Sequence, residues 1–435
     1  QKENINDEHT STVFWINVAV GLVLTSIFAA LAPLIAAFYG EPLLKPITWC
    51  LSGIFAINSL SIVHRTLLRR QLEFKQLALV GLATTTLGSV AAITMAFFGL
   101  GVWSLVGRTL SITFLSAALV WMISDWRPRF IFKPAAAKEL MGFGMCVLGN
   151  QTLNYTTRNL DNLLVGRFLG SPALGLYNRA YHFMMLPLHE IANVLRRVMF
   201  PALSRIQNDR TRVRNVYLRL SRSTALVTFP IMVGMFVVAE PFVLTLLGSD
   251  WSGVIPLLKI MSLCGLVQSV VTLNGTVFQS MGRADIPLKL KLFTTPISLG
   301  LIICGLQWGL EGVAWAIVAG TTTGFFCGTY LAGRLAGFSI PRFIRNLLPV
   351  LSCAVTMGVG GLLYSSWLPQ QRPVWLELLL ETGVGVILYT LITLASNHDA
   401  YRDVRDLLSP VFLNKAQRFR KVRLSSEPKR AVDHL

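Results

Sequence analysis

Charge is what this sequence has least of. Only 14% of its 435 residues are charged, against about 25% in soluble domains. Acidic residues are the scarcer sign, 21 against 39 lysines and arginines. Recognisable catalytic signatures are missing too. No P-loop, HExxH or GxSxG sequence occurs, and "GVGG" at Gly358–Gly361 lies inside an apolar run with no strand before it, which excludes a dinucleotide loop. The six cysteines show neither a CxxC nor a Cys/His spacing, so they read as small apolar packing residues rather than metal ligands. No catalytic residue, cofactor or metal site is expected, and no segment has the basic start of a cleavable signal peptide.

What is present is hydrophobic sequence, 53% of residues, with a mean hydropathy of +0.58. A span needs about 20 mostly apolar residues. Twelve segments qualify, near 13–38, 46–63, 77–98, 102–123, 141–165, 173–195, 223–245, 254–279, 286–307, 312–333, 346–366 and 374–396. The expected fold class is all-α, a polytopic membrane protein.

A net charge of +18 suggests nucleic acid until its distribution is followed. Basic residues crowd every second connection: Arg65 to Lys75, Arg127 to Lys138, Arg205 to Arg222, Arg283 to Lys291, and Arg334 to Arg345. The tail after Ser396 adds more, while the alternate connections hold little beyond Lys45, Arg167, Lys259 and Arg372. That alternation is the positive-inside pattern and makes both ends of the chain cytoplasmic, with no nucleic-acid partner. The Arg-rich connection Ser204–Arg222 reads as an amphipathic helix on the cytoplasmic surface.

Two parts of the chain resemble each other. "PLIAAFYG" at Pro33–Gly40 parallels "PFVLTLLG" at Pro241–Gly248, "PLLK" occurs at Pro42–Lys45 and Pro256–Lys259, and "GLGVW" at Gly99–Trp103 parallels "GLEGVAW" at Gly309–Trp315. The second copy has six spans and the first shows four, so two further spans are expected upstream of Gln1. An even number of spans per copy makes the repeat parallel. The expected organisation is a partial lobe at 1–123, a cytoplasmic linker at 124–139, a six-span lobe at 140–335, two extra spans at 336–396 and a basic tail at 397–435.

With "RNLDNLLVGRFLGSPALGLYNRAYHFMMLP" and "VMFPALSRIQND", Arg158–Asp209, this arrangement resembles the multidrug/oligosaccharidyl-lipid/polysaccharide exporter superfamily. Within it the chain is similar to Wzx-type polysaccharide flippases of the colanic acid and teichuronic acid branch. The resemblance implies fourteen spans in two lobes plus a terminal pair. Its implied cargo is an undecaprenyl-diphosphate-linked oligosaccharide, moved across the bacterial inner membrane by alternating access. A polysaccharide polymerase and assembly proteins are the further partners it suggests. A drug/cation antiporter of the same superfamily would favour a carboxylate-rich cavity, and a glycan polymerase or ligase would need a large external loop where every external connection here is short. A non-transporting scaffold would tolerate loss of its buried charges.

Those charges are few. A charge at the bilayer centre costs about 2.5–3.5 kcal/mol on insertion scales, so it faces a cavity or a partner. Arg158 and Asp161 stand three apart on one helix face, roughly 8–12 Å from the span's outer end by helical rise. Arg179 and Arg108 reach a similar depth in other spans, and Arg108 has an apolar counterpart in the second copy, around Ala319. The four are candidates for an anion-binding cavity, with the alternative that Arg158–Asp161 is a packing pair and the lone arginines snorkel. Asn150, Gln151, Asn154, His182, Gln268 and Asn274 are candidate polar cavity lining or interhelical hydrogen-bonding residues. Glu240 reads as interfacial, and Gly320, Gly324 and Gly328 as a small-residue packing face.

Overall fold

In lipid every backbone polar group needs an internal partner, so long apolar segments have helix as their open-ended solution. The computed structural model describes residues 7–131, 151–152, 155–156, 159–207, 209–283, 285–367 and 373–396. Among them there is no strand. The helices are α1 (Asp7–Tyr39), α2 (Leu44–Arg70), α3 (Phe74–Phe97), α4 (Val102–Ile123), α5 (159–168), α6 (Gly170–Arg205), α7 (Arg210–Val237), α8 (Ala239–Leu246), α9 (Val254–Ser280), α10 (Asp285–Gly305), α11 (Gly309–Ala336), α12 (Ile340–Trp367) and α13 (Val374–Ala395). Nine stretches of these residues are long and apolar enough to cross a membrane, α10 and α11 counting together as one. The protein is therefore a multi-pass, all-α membrane protein. Helix α6 is not among the nine; Arg179, His182, His189 and Glu190 dilute its apolar run.

The chain divides into two compact units between Asn159 and Leu160. In the first, α1 packs on α2, α2 on α4, and α3 on α4. One end is closed by an aromatic cluster of Phe14, Trp121 and Trp126 around a fully buried His64, whose Nδ1 lies 3.1 Å from the Ser124 hydroxyl. The connection leaving α4 is fastened to the start of α1. The Trp15 indole donates to the Arg129 carbonyl at 2.9 Å, and the Arg129 amide donates to Ser11 Oγ at 3.2 Å.

The second unit repeats this order. Helices α7 and α8 pack on α9, α9 on α11, and α10 on α11. Both ends of α2 and α9 are displaced by the same 210 residues, Leu44 to Val254 and Arg70 to Ser280. The turns that follow share a left-handed residue at that displacement, Leu72 (φ 61°) and Gly282 (φ 70°). Gly99 (φ 75°) and Gly309 (φ 67°) match likewise. The "PLLK" match does not survive: it needs a displacement of 214, and Pro42 precedes α2 whereas Pro256 is the third residue of α9. Helices α12 and α13 lie outside the repeat, α12 against α7 and α13 against α8 and α12.

Two further readings are corrected. The segment expected as one span at 223–245 breaks at Val238 into α7 and α8. Pro241 has no amide hydrogen for the Val237 carbonyl, and its ring would clash there, so it sits in the first turn of a new helix. The Arg-rich Ser204–Arg222 stretch is no separate surface helix. Helix α6 runs to Arg205, and α7 starts at Arg210 with the Asp209 side chain accepting the Arg212 amide at 3.0 Å. Val213, Tyr217 and Leu220 recur at helical spacing and bury against Phe343, Leu347 and Val350 of α12. That apolar stripe docks the basic segment into the bundle.

Proline positions show how the bundle satisfies its backbone. Pro33 within α1 leaves the Ala29 carbonyl without its helical donor, and the Trp49 indole of α2 donates to it at 2.9 Å. Pro230 within α7 orphans the Leu226 carbonyl, and the Tyr389 hydroxyl of α13 donates to it at 2.8 Å. Each proline thus marks a fastening between neighbouring helices.

Candidate functional site

The charged residues singled out from sequence fall on α4, α5 and α6. Arg158, Asn150 and Asn154 lie outside the described residues. Asp161 is held by a partner that sequence reasoning missed. The Tyr177 hydroxyl of α6 donates to Asp161 Oδ2 of α5 at 2.5 Å, and Asp161 Oδ1 is buried with no hydrogen-bond partner among the described residues. Tyr177 itself is fully buried, against Val165, Ala180, Met184 and Cys264. A phenol suits this position because its ring packs in the core while its tip meets the carboxylate. Sixteen residues and a turn separate the two, so no local spacing could have announced the pair.

Arg179 follows Tyr177 by two residues, about 200° round the helix at 100° per residue. It therefore leaves on the opposite face from the Asp161 contact. The side chain is exposed, and its guanidinium stands 5.5 Å from the Trp251 ring centroid in the turn before α9, within cation–π range. His182 is exposed one turn further along, and His189 and Glu190 continue the same polar stripe. The stripe follows i, i+3, i+10 and i+11 spacing along one helix face, and sequence reasoning missed its last two residues. Arg108 is half-buried in α4, with no hydrogen bond or ion pair among the described residues. Val318 stands at the 210-residue displacement from it, so the charge belongs to one copy alone.

The neutral candidates separate. Gln151 is helical and exposed, and Gln268 is half-buried in α9. Asn274 is buried; it accepts a hydrogen bond from Tyr217 of α7 and places its Nδ2 3.5 Å from the Thr329 hydroxyl of α11. It thereby links α9 to α7 and α11 inside the second unit. Gly328 allows this approach, since a Cβ there would come within 2.9 Å of Asn274 Nδ2. Gly320 likewise abuts Ser298, but Gly324 faces open space, so the expected packing face is discontinuous. Among the described residues no group of His, Cys, Asp and Glu could hold a metal ion.

Helices of bilayer length, a repeated four-helix arrangement and a few charges set among apolar turns define a polytopic all-α membrane protein. The chain belongs to the polysaccharide biosynthesis protein family, whose pattern matches residues 1–256. It is 24% identical over 401 residues to the teichuronic acid biosynthesis protein TuaB of Bacillus subtilis (strain 168), covering 90% of this chain and 82% of that protein. It is 28% identical over 331 residues to the lipopolysaccharide biosynthesis protein WzxC of Escherichia coli (strain K12), covering 75% of this chain and 65% of that one. To the succinoglycan biosynthesis transport protein ExoT of Rhizobium meliloti (strain 1021) it is 23% identical, over 94% of this chain and 82% of that one. Among solved structures it superposes on the lipid II flippase MurJ with a TM-score of 0.74 and 17% identity, covering 92% of this chain and 86% of that one. For a multidrug MATE family transporter the TM-score is 0.56, again at 17% identity, with 77% and 83% covered. These superpositions establish the fold.

Proposed function

We propose that this protein translocates undecaprenyl-diphosphate-linked oligosaccharide units from the cytoplasmic to the periplasmic leaflet of a bacterial inner membrane, for surface polysaccharide synthesis. The observation that carries the reading is membership of the polysaccharide biosynthesis family by a chain whose two units share a helical packing order. Relatives named for teichuronic acid, lipopolysaccharide and succinoglycan synthesis support it, as does the fold shared with a lipid II flippase. Alternating access between the two repeat copies is the transport mode, and no covalent chemistry is needed. Both ends of the chain are cytoplasmic, and a polysaccharide polymerase is a partner on the far side.

Arg108, Arg158 and Arg179 are the residues proposed to receive the diphosphate or acidic sugars, since the guanidinium fork bonds two oxygens at once. Asp161, held by Tyr177, limits the cost of Arg158 when no cargo is bound. In a strain lacking the chromosomal gene, the wild-type chain should restore surface glycan, and its absence should trap lipid-linked units in the inner leaflet. Arg158→Ala or Arg179→Ala should insert normally yet export far less, with lysine rescuing only in part. Normal export from Arg158→Leu combined with Asp161→Leu would refute the anion-binding role.

A further inference from the structure

Where the repeat's second copy meets the two helices outside it, the second unit holds a cavity of about 420 Å³ between α7 and α8 on one side and α12 and α13 on the other. Its volume falls in the range of small-molecule sites, about 300–1,000 Å³. Helix α13 contributes one face, from Leu378 through Glu381, Thr382 and Gly385 to Tyr389, at helical spacing. The facing walls are apolar or small, with Met235, Phe242, Met357 and Gly358 among them. Glu381 is the one acid in this lining. It is only 3% exposed, and its Oε2 is buried with no hydrogen-bond partner among the described residues.

Burying a carboxylate in such surroundings is expensive unless it is paired. Ser365 of α12 stands beside the group as its hydroxyl neighbour, and one hydroxyl cannot balance a full charge. Glu377 on α13 and Glu240 on α8 add negative potential rather than relieve it. Tyr389 cannot serve, because its hydroxyl already donates to the Leu226 carbonyl. A bare metal ion is a poor fit, since hard cations take six or more oxygen ligands and no metal-holding group exists among the described residues. A proton can neutralise the carboxyl of the empty cavity; a ligand that takes the proton's place there carries a single positive charge on an apolar body.

We propose that this cavity is a binding site for a monovalent lipophilic organic cation, with Glu381 as its counter-ion. The site lies wholly within the second unit and does not depend on which glycan is carried, so glycan export and cation binding fail separately. The test uses the full chain in phosphatidylcholine nanodiscs, with tetraphenylphosphonium as the probe and empty discs subtracted for lipid partitioning. Tetraphenylborate, nearly the same shape with the opposite charge, is the control. The expected result is saturable binding of one phosphonium per chain and no displacement by the borate. Glu381→Gln should weaken the affinity at least tenfold. Gly385→Leu should abolish binding with Glu381 intact; a Cβ there meets nothing within 4 Å, so the new side chain fills the cavity without disturbing the fold. Undiminished phosphonium binding by Glu381→Gln would overturn the proposal. So would equal binding of phosphonium and borate, which would mark an apolar site indifferent to charge.

Discussion

The Tyr389 hydroxyl bonded to the Leu226 carbonyl can be tested as a proline repair. Tyr389→Phe removes one donor and leaves in place a carbonyl that Pro230 has already deprived of its helical partner. Hydrogen bonds between membrane helices average about 0.6 kcal/mol and reach about 1.7. That average presumes that the broken groups find new partners, and a carbonyl in an apolar bundle has few. An unsatisfied buried acceptor costs about 1–3 kcal/mol, so the expected loss is about 1–2 kcal/mol, felt where α13 meets α7. Pro230→Ala returns an amide donor to the same carbonyl. In that background Tyr389→Phe should cost well under 0.5 kcal/mol, leaving a coupling of about 1 kcal/mol. The assay is equilibrium unfolding of the detergent-solubilised protein for all four members of the double-mutant cycle. Equal losses in the proline and alanine backgrounds would refute the reasoning, because the hydroxyl would then be stabilising something other than the orphaned carbonyl.

Tyr177→Phe strips Asp161 of its described donor and should destabilise the protein by about 1.5–3 kcal/mol in a thermal-unfolding comparison, the range for hydrogen bonds to charged groups. Gly312→Ala should be severely destabilising and expression-limiting, since its Cβ would sit 2.2 Å from the Gly305 backbone oxygen. Gly324→Ala, with nothing within 4 Å of the new Cβ, should be neutral or stabilising by up to about 1 kcal/mol in the same assay.

The sequence made the helices legible because a bilayer sets a length requirement that apolar runs either meet or miss. The glycines that open or close the repeat landmarks, Gly40, Gly99, Gly248 and Gly309, all have positive φ. Leu72 occupies the same left-handed region without the residue that advertises it. The "PLLK" match misled because short apolar words recur by chance in a chain so poor in other letters. Pro241 carried the signal for the break at Val238, but hydropathy runs unbroken across it and hid the boundary. The least legible contacts join distant helices: Asp161 to Tyr177, Asn274 to Tyr217, and Leu226 to Tyr389. Each depends on two segments arriving at the same depth and rotation, which single-sequence periodicity does not encode. Arg179 shows the converse: helical rise made its depth legible, but not the Trp251 ring that its guanidinium meets.

The paired left-handed turns at Leu72 and Gly282 mark where inheritance and adaptation part company. Each ends a helix of 27 residues in its own copy, so the backbone punctuation has been kept while the letters between have drifted. A duplicated gene under that rule can rewrite the residues facing its cargo in one half and leave the other as it was. Arg108, with no charged twin at Val318, is one position where the letters of the two copies differ. On the proposed function, new glycans would then be accommodated by point substitution, with the paired turns kept as they are.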